Sequence, residues 1–180
     1  MRTNKGLKNV YVLVYAAMLA AMSVVIGIFC KNFLNFGNGL FRITLENFPI
    51  MIAGIAFGPV VGACVGAVAD VLSYMLSTQS FAISPIVTLG AAMVGAISGL
   101  VSHYVIKREG NARIIVSVAA AHLVGSILIK SSGLFPYYGW QVLWRIPTYV
   151  LIATLEAGLL SYLYKRSAFT KIFRLGGNTK

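Results

Sequence analysis

Charge, cysteine and histidine are all scarce in this chain. Charged residues make up 11% of 180, and only four of them are acidic, against fifteen Lys and Arg. Ordinary globular domains carry about 25% charged residues, so too little charge is present to clothe a water-facing surface. Cys30 and Cys64 show no CxxC spacing and have no His nearby, which argues against a disulfide framework or a zinc site. The two histidines, His103 and His122, fall on different apolar segments, and neither HExxH nor GxSxG occurs. That removes the nucleophile, base or metal cluster an intramembrane enzyme would need. There is no GxxxxGK[ST] stretch either, so ATP chemistry cannot originate here.

What is abundant is apolar. Hydrophobic residues account for 58% of the chain and its mean hydropathy is +0.83, which makes lipid the solvent and residues 1–180 one integral membrane domain. A helix needs about 20 apolar residues to cross a bilayer core. By that measure the sequence predicts an all-α membrane protein, a bundle of six transmembrane helices over about Val10–Phe29, Leu45–Phe57, Val60–Ser77, Ser84–Ile106, Ala112–Ile129 and Val142–Tyr164. The first run exceeds a signal-peptide core of about 7–15 residues and is expected to be retained. The second is short and carries Pro49 near its start. Broken helices are tolerated at membrane depth only beside protein or a cavity, so a binding cavity is expected near Arg42 to Pro49.

A net charge of +11 would suit nucleic acid, but the basic residues cluster between apolar spans and read instead as topology signals. Arg2, Lys5, Lys8, Lys107, Arg108, Arg113 and the basic residues after Tyr164 fall on one face, which the positive-inside rule makes cytoplasmic, with both termini. Lys31, Arg42, Lys130 and Arg145 are left for the outer face. Lys31 alone reads as a side chain snorkelling at a helix end. Together with Tyr74, Phe81, Tyr137, Tyr138, Trp140 and Trp144, the four describe a cationic, aromatic mouth suited to an anionic ligand with a flat ring. Singly, each aromatic is equally a member of an interfacial belt.

Glu46, Asp70, His122 and Glu156 are ionisable groups within or at the edge of apolar spans, where each must face protein and find a partner. Asp70, Tyr74 and Ser77 share a helical face, so Asp70 either receives an amidine-like ring edge or pairs with neighbouring helices. Glu156 lies about 16 Å inward of Arg145 by helical rise, which suits a structural pairing, and His122 reads as a hydrogen-bonded core histidine. Ala16, Ala17, Ala20 and Ala21 form overlapping small-xxx-small pairs, and Gly54, Gly58, Gly62 and Gly66, with Gly95 and Gly99, form a ladder for close helix packing.

The alanine pairs, FPIMIAGIAFGPVVGACVGAVADVLSYM, SPIVTLGAAMVGAISG and the Tyr/Trp/Arg run ending at Arg145 together resemble the substrate-binding S components of energy-coupling-factor vitamin transporters, and among them the folate-specific members. The resemblance covers nearly the whole chain. It implies capture of folate or a reduced folate at the outer face of a bacterial plasma membrane and delivery inward. It also implies docking, through Ala16 and Ala20 with Ala17 and Ala21 one step over, on the membrane scaffold subunit EcfT, which carries two cytoplasmic ATPases. The protein itself is then no enzyme and needs no cofactor or metal. Asp70 is expected to receive the pterin edge, with Glu46, Tyr74, Phe81, Tyr138, Trp140 and Trp144 around it. Arg42, Lys130 and Arg145 are expected to clamp the anionic tail.

The connector Lys31–Thr44, rich in Gly, Asn and Phe, reads as a lid over the pocket. Two other functions fit less of the pattern. An S component for another vitamin such as riboflavin would use the basic mouth less fully. A structural membrane subunit without ligand would not need Asp70 or Arg145.

Overall fold

A computed structural model describes residues 3–36, 41–76, 85–106 and 110–165, with side chains throughout except at 3–9, 35–36, 41–42 and 137–138. The chain begins with α1, Thr3–Phe33, 31 residues long and so about 46 Å from end to end. A two-residue-by-two-residue antiparallel hairpin follows, β1 (Asn35–Phe36) paired with β2 (Phe41–Arg42), whose second strand lies against the last helix. Then come α2 (Asn47–Phe57), α3 (Pro59–Met75) and α4 (Pro85–Leu100), the last running on as a π-helical turn, Val101–Val105. The fifth rod is α5 (Asn111–Ala121), a π-helical stretch His122–Lys130 and α6 (Ser131–Tyr138). The sixth is a 3-10 turn, Gly139–Trp144, leading into α7 (Arg145–Tyr164).

Six rods are thus seen where six helices are expected, but their ends differ. Lys31 belongs to the last turn of α1 rather than to a connector, and the predicted lid shrinks to the small hairpin. The fifth rod was expected to end at Ile129, because Lys130 looks like the edge of an apolar span. Instead Lys130 is buried, 5% exposed, and the helix continues past it through Pro136. A charge marks a helix end only when it is solvated, and this one has a protein partner.

Among the described residues, four helices are long and apolar enough to cross a membrane: Val10–Phe33, Pro85–Val105, Asn111–Pro136 and Gly139–Tyr164. Large apolar side chains such as Leu13, Val25, Val60 and Leu151 point outward from the bundle, as lipid-facing surface should. The 11-residue α2 is different. Nine of its residues are buried, among them Ile50, Met51, Ile52, Ala53 and Ile55, which sit at the middle of the core. A helix apolar on all sides belongs inside a structure, and α2 is enclosed by α1, α3, α4, α5 and α7. It is the post around which the bundle packs.

The turn from α2 to α3 follows from two residues. Pro59 disfavours helical backbone at the residue before it and starts α3 at its first position. Gly58 takes φ of 100°, a region open to glycine, and its N–H donates to Gly54 O at 2.9 Å. Beyond that turn the expected glycine ladder holds α3 against α4: a Cβ on Gly62 would stand 2.5 Å from the Gly95 carbonyl oxygen. Gly54 of α2 and Gly99 of α4 meet in the neighbouring seam, while a Cβ on Gly58 would meet nothing within 4 Å.

Candidate functional site

The helices carry a layer of buried polar side chains around the start of α2. Asp70 on α3 is 5% exposed and its Oδ2 accepts from Thr88 Oγ1 of α4 at 2.7 Å. Pro85 starts α4 and places Thr88 on its first turn. One turn along from Asp70, Ser73 Oγ donates to the Asp70 carbonyl at 3.0 Å and receives Lys31 Nζ at 2.6 Å. The Lys31 ammonium also sits 3.8 Å from the centre of the Tyr74 ring, a cation–π contact. Glu46, 8% exposed, precedes α2; its backbone oxygen accepts from Ser23 Oγ at 2.7 Å. Its carboxylate lies so close to α1 that a Cβ on Gly27 would stand 2.8 Å from Oε2.

On the far side of α2, Lys130 crosses over Gly90 and donates to Asn47 Oδ1 at 3.0 Å. Lys31, Glu46, Asp70 and Lys130 are all buried. Two cations and two carboxylates thus share one buried layer. Burying such groups costs several kcal/mol each unless they are paired, and here hydrogen bonds tie together residues from α1, α2, α3, α4 and the fifth rod. A narrow gap, too tight to hold a water molecule, lies in this layer, lined by Ser23, Glu46, Ile50, Ala69, Asp70, Ser73 and Ala91. Small-molecule pockets usually measure about 300–1,000 Å³, so entry of a ring-sized ligand requires side chains to move.

The structure therefore gathers Glu46, Asp70, Tyr74 and Lys130 as the sequence suggests, and adds Lys31, Asn47, Ser73 and Thr88. Lys31, which the sequence allows either as a snorkelling side chain or as one of four cations at the mouth, is 1% exposed and points into the bundle; its position one turn from the end of an apolar helix looks the same in either case. Arg145 is buried at 8% exposed at the start of α7. Trp140 and Trp144, at 77% and 69% exposed, stand outside the buried layer on the 3-10 turn, Trp140 edge-on to Phe135. Phe81 lies outside the described residues, as do the side chains of Arg42, Tyr137 and Tyr138.

Deeper in the bundle, His122 Nε2 donates to Glu156 Oε2 at 2.6 Å and its Nδ1 lies 3.2 Å from Ser126 Oγ. This joins the π-helical stretch to α7, so Glu156 and His122 are a structural pair as their depth suggests. Among the described residues no group of three or more His, Cys, Asp or Glu is arranged to hold a metal.

On α1, the four alanines differ in exposure. Ala20 is in the core with Ala16 packed beside it, whereas Ala17 and Ala21 are exposed with Met18 and Met22. Of the four, Ala17 and Ala21 are exposed, Ala16 is half-buried and Ala20 is buried.

Comparison with known proteins places these features in context. A family model described as the substrate-specific component of ECF transporters matches residues 12–176. The folate transporter FolT of Clostridium novyi (strain NT) is 33% identical over 91 residues, 51% of this chain and 49% of that protein; the chain spans about half the length of the curated relative it matches. A crystal structure of FolT bound with folic acid superposes with a TM-score of 0.68 at 24% identity, covering 87% of this chain and 95% of the other. A bacterial ECF transporter S component superposes with a TM-score of 0.65, also at 24% identity, covering 89% and 96%. These structures share the fold.

Proposed function

The chain belongs to the substrate-specific components of ECF transporters, and on that premise we propose that it captures folate at the outer membrane face and delivers it inward. The observation that carries the ligand assignment is the buried layer itself, in which Asp70 lines a gap and Asp70, Glu46, Lys31 and Lys130 are all buried. Folate presents an amidine-like pterin edge and an anionic glutamate tail. Asp70 takes the edge, a charge-assisted pair that strengthens in a water-poor site. Arg42 and Arg145, on β2 and the start of α7, take the tail. The likeness to folate transporters supports this cargo over riboflavin.

Delivery requires partners. ATP is hydrolysed by two cytoplasmic subunits, and this chain docks on their membrane scaffold, EcfT, through the flat face at Ala17 and Ala21, where small side chains let helices approach. Both termini then face the cytoplasm of a bacterial cell. The test of cargo is mass spectrometry of small molecules that co-purify with the detergent-solubilised protein, followed by titration with folate, riboflavin and thiamine. Stoichiometric folate binding is expected. Tight binding of riboflavin in its place would keep the family and discard the cargo, and folded protein that binds none of the three would discard capture.

A further inference from the structure

The fifth rod carries a π-helical stretch nine residues long, His122–Lys130. π-Helix occurs mostly as single turns, frequently at functional sites, so a run of this length calls for a cause. Each end of it is tied to a different neighbour by a buried polar side chain. At the start, His122, 2% exposed, bonds Glu156 of α7, itself 0% exposed. Glu156 Oε1 has no hydrogen-bond partner among the described residues, so among them the carboxyl is held through Oε2 by His122 alone. At the end, Lys130 bonds Asn47 of α2. Between the two, Gly125 lies against α4, where a Cβ would stand 2.5 Å from Val94 Cγ2. An α-helix turns about 100° per residue, and a π-helix turns less because its hydrogen bonds close on the fifth residue rather than the fourth. Over the whole stretch the two geometries diverge by on the order of 100°. With His122 fixed on α7, relaxation to α-helix would therefore swing Lys130 away from Asn47.

We infer that His122 and Glu156 are positioning residues for ligand capture: their bond holds the fifth rod in the wide register that lays Lys130 on Asn47, and so fixes the start of α2, where Glu46 lines the gap with Asp70. The inference rests on the folate reading for what the register serves, and on the geometry for the register itself. Neither His122 nor Glu156 lines the gap, so their effect on capture travels through the helix. Burying such a pair costs more than apolar packing of the same volume, and fixing register is the best-attested use of a buried polar group. Ser126 completes the joint. Its Oγ lies 3.2 Å from His122 Nδ1, so both ring nitrogens are engaged and the imidazole cannot swing without losing a bond.

The test replaces the joint with apolar packing. His122→Leu combined with Glu156→Leu, in the full-length detergent-solubilised protein, removes the bond and leaves no buried charge behind, so the unfolding midpoint should stay near that of wild type or rise. Folate affinity should nonetheless fall about tenfold or more. Adding Lys130→Met should cost nothing further, because the lysine has already left Asn47. A leucine pair that binds folate like wild type would overturn the inference. So would losses that multiply in the combined variant, the mark of independent contacts. If the leucine pair does not fold, Glu156→Gln decides: it keeps an oxygen for His122 Nε2 without the charge and should hold affinity within about twofold, whereas a loss of about tenfold would show that register is not what the pair supplies. If wild type binds no folate, the cargo reading fails by itself and unfolding alone decides the register. Lys130→Met should then lower the midpoint of wild type but not of the leucine pair, and equal shifts would overturn the inference.

Discussion

At the residue scale, Asp70 and Lys31 make separable predictions. Asp70→Asn keeps the side chain's shape and the bond from Thr88 Oγ1 but removes the charge that would meet a pterin edge. Folate affinity should fall at least tenfold, the size of one charge-assisted hydrogen bond, while thermal unfolding shifts little. Unchanged affinity by titration would remove Asp70 from the ring contact. Lys31→Met retains the apolar stem and loses both the bond to Ser73 and the cation over Tyr74. It should destabilise the protein by about 1–3 kcal/mol, seen as a lower unfolding midpoint in detergent. Asp70 is visible in the sequence because a carboxylate within an apolar helix has few innocent explanations. Lys31 is not, because a lysine at a helix end can reach outward as easily as inward, and only its neighbours decide.

At the scale of elements, the glycines of α2, α3 and α4 divide by what a side chain would meet. Gly62→Val drives its Cβ onto backbone of α4, which cannot yield without separating the helices. A cost of about 1–3 kcal/mol or more is expected, together with loss of the polar layer that α3 and α4 hold jointly. Gly58→Ala meets open space and bears only the strain of a positive φ, about 1 kcal/mol. Thermal unfolding of the two variants in the same detergent checks the contrast; a larger loss for Gly58→Ala would mean that the turn, not the seam, holds the hairpin. Both glycines belong to one four-residue ladder in the sequence. The ladder announces close packing, and the Pro after Gly58 is the sequence sign that this one rung is a turn.

At the scale of the whole molecule, α1 has an inner and an outer face one residue apart. Ala17→Trp places a bulky ring on the exposed face and should leave folate binding by the isolated protein intact while abolishing uptake by cells that contain the coupling subunits. Ala20→Trp enters the core and should lower folded yield and binding together. If Ala17→Trp transports normally, the docking face lies elsewhere. The outer surface of the bundle is broadly apolar, with Leu13, Val25, Leu123 and Leu151 all exposed, so lipid covers most of it and only its small-residue strip suits close contact with another helix.

Composition and spacing alone determined that this chain is a membrane bundle, roughly where its helices run, and which carboxylates must find partners inside it. These are consequences of transfer free energy and helical rise, both local properties. Tertiary structure decided the rest. Whether Lys130 ends a helix or lies buried on Asn47, whether Lys31 points outward or into the bundle, and which alanines of α1 are exposed all depend on helix rotation. Rotation is set by the summed packing of neighbouring helices in a solvent that is itself apolar, so hydrophobic periodicity no longer distinguishes inside from outside. Only the contacts do.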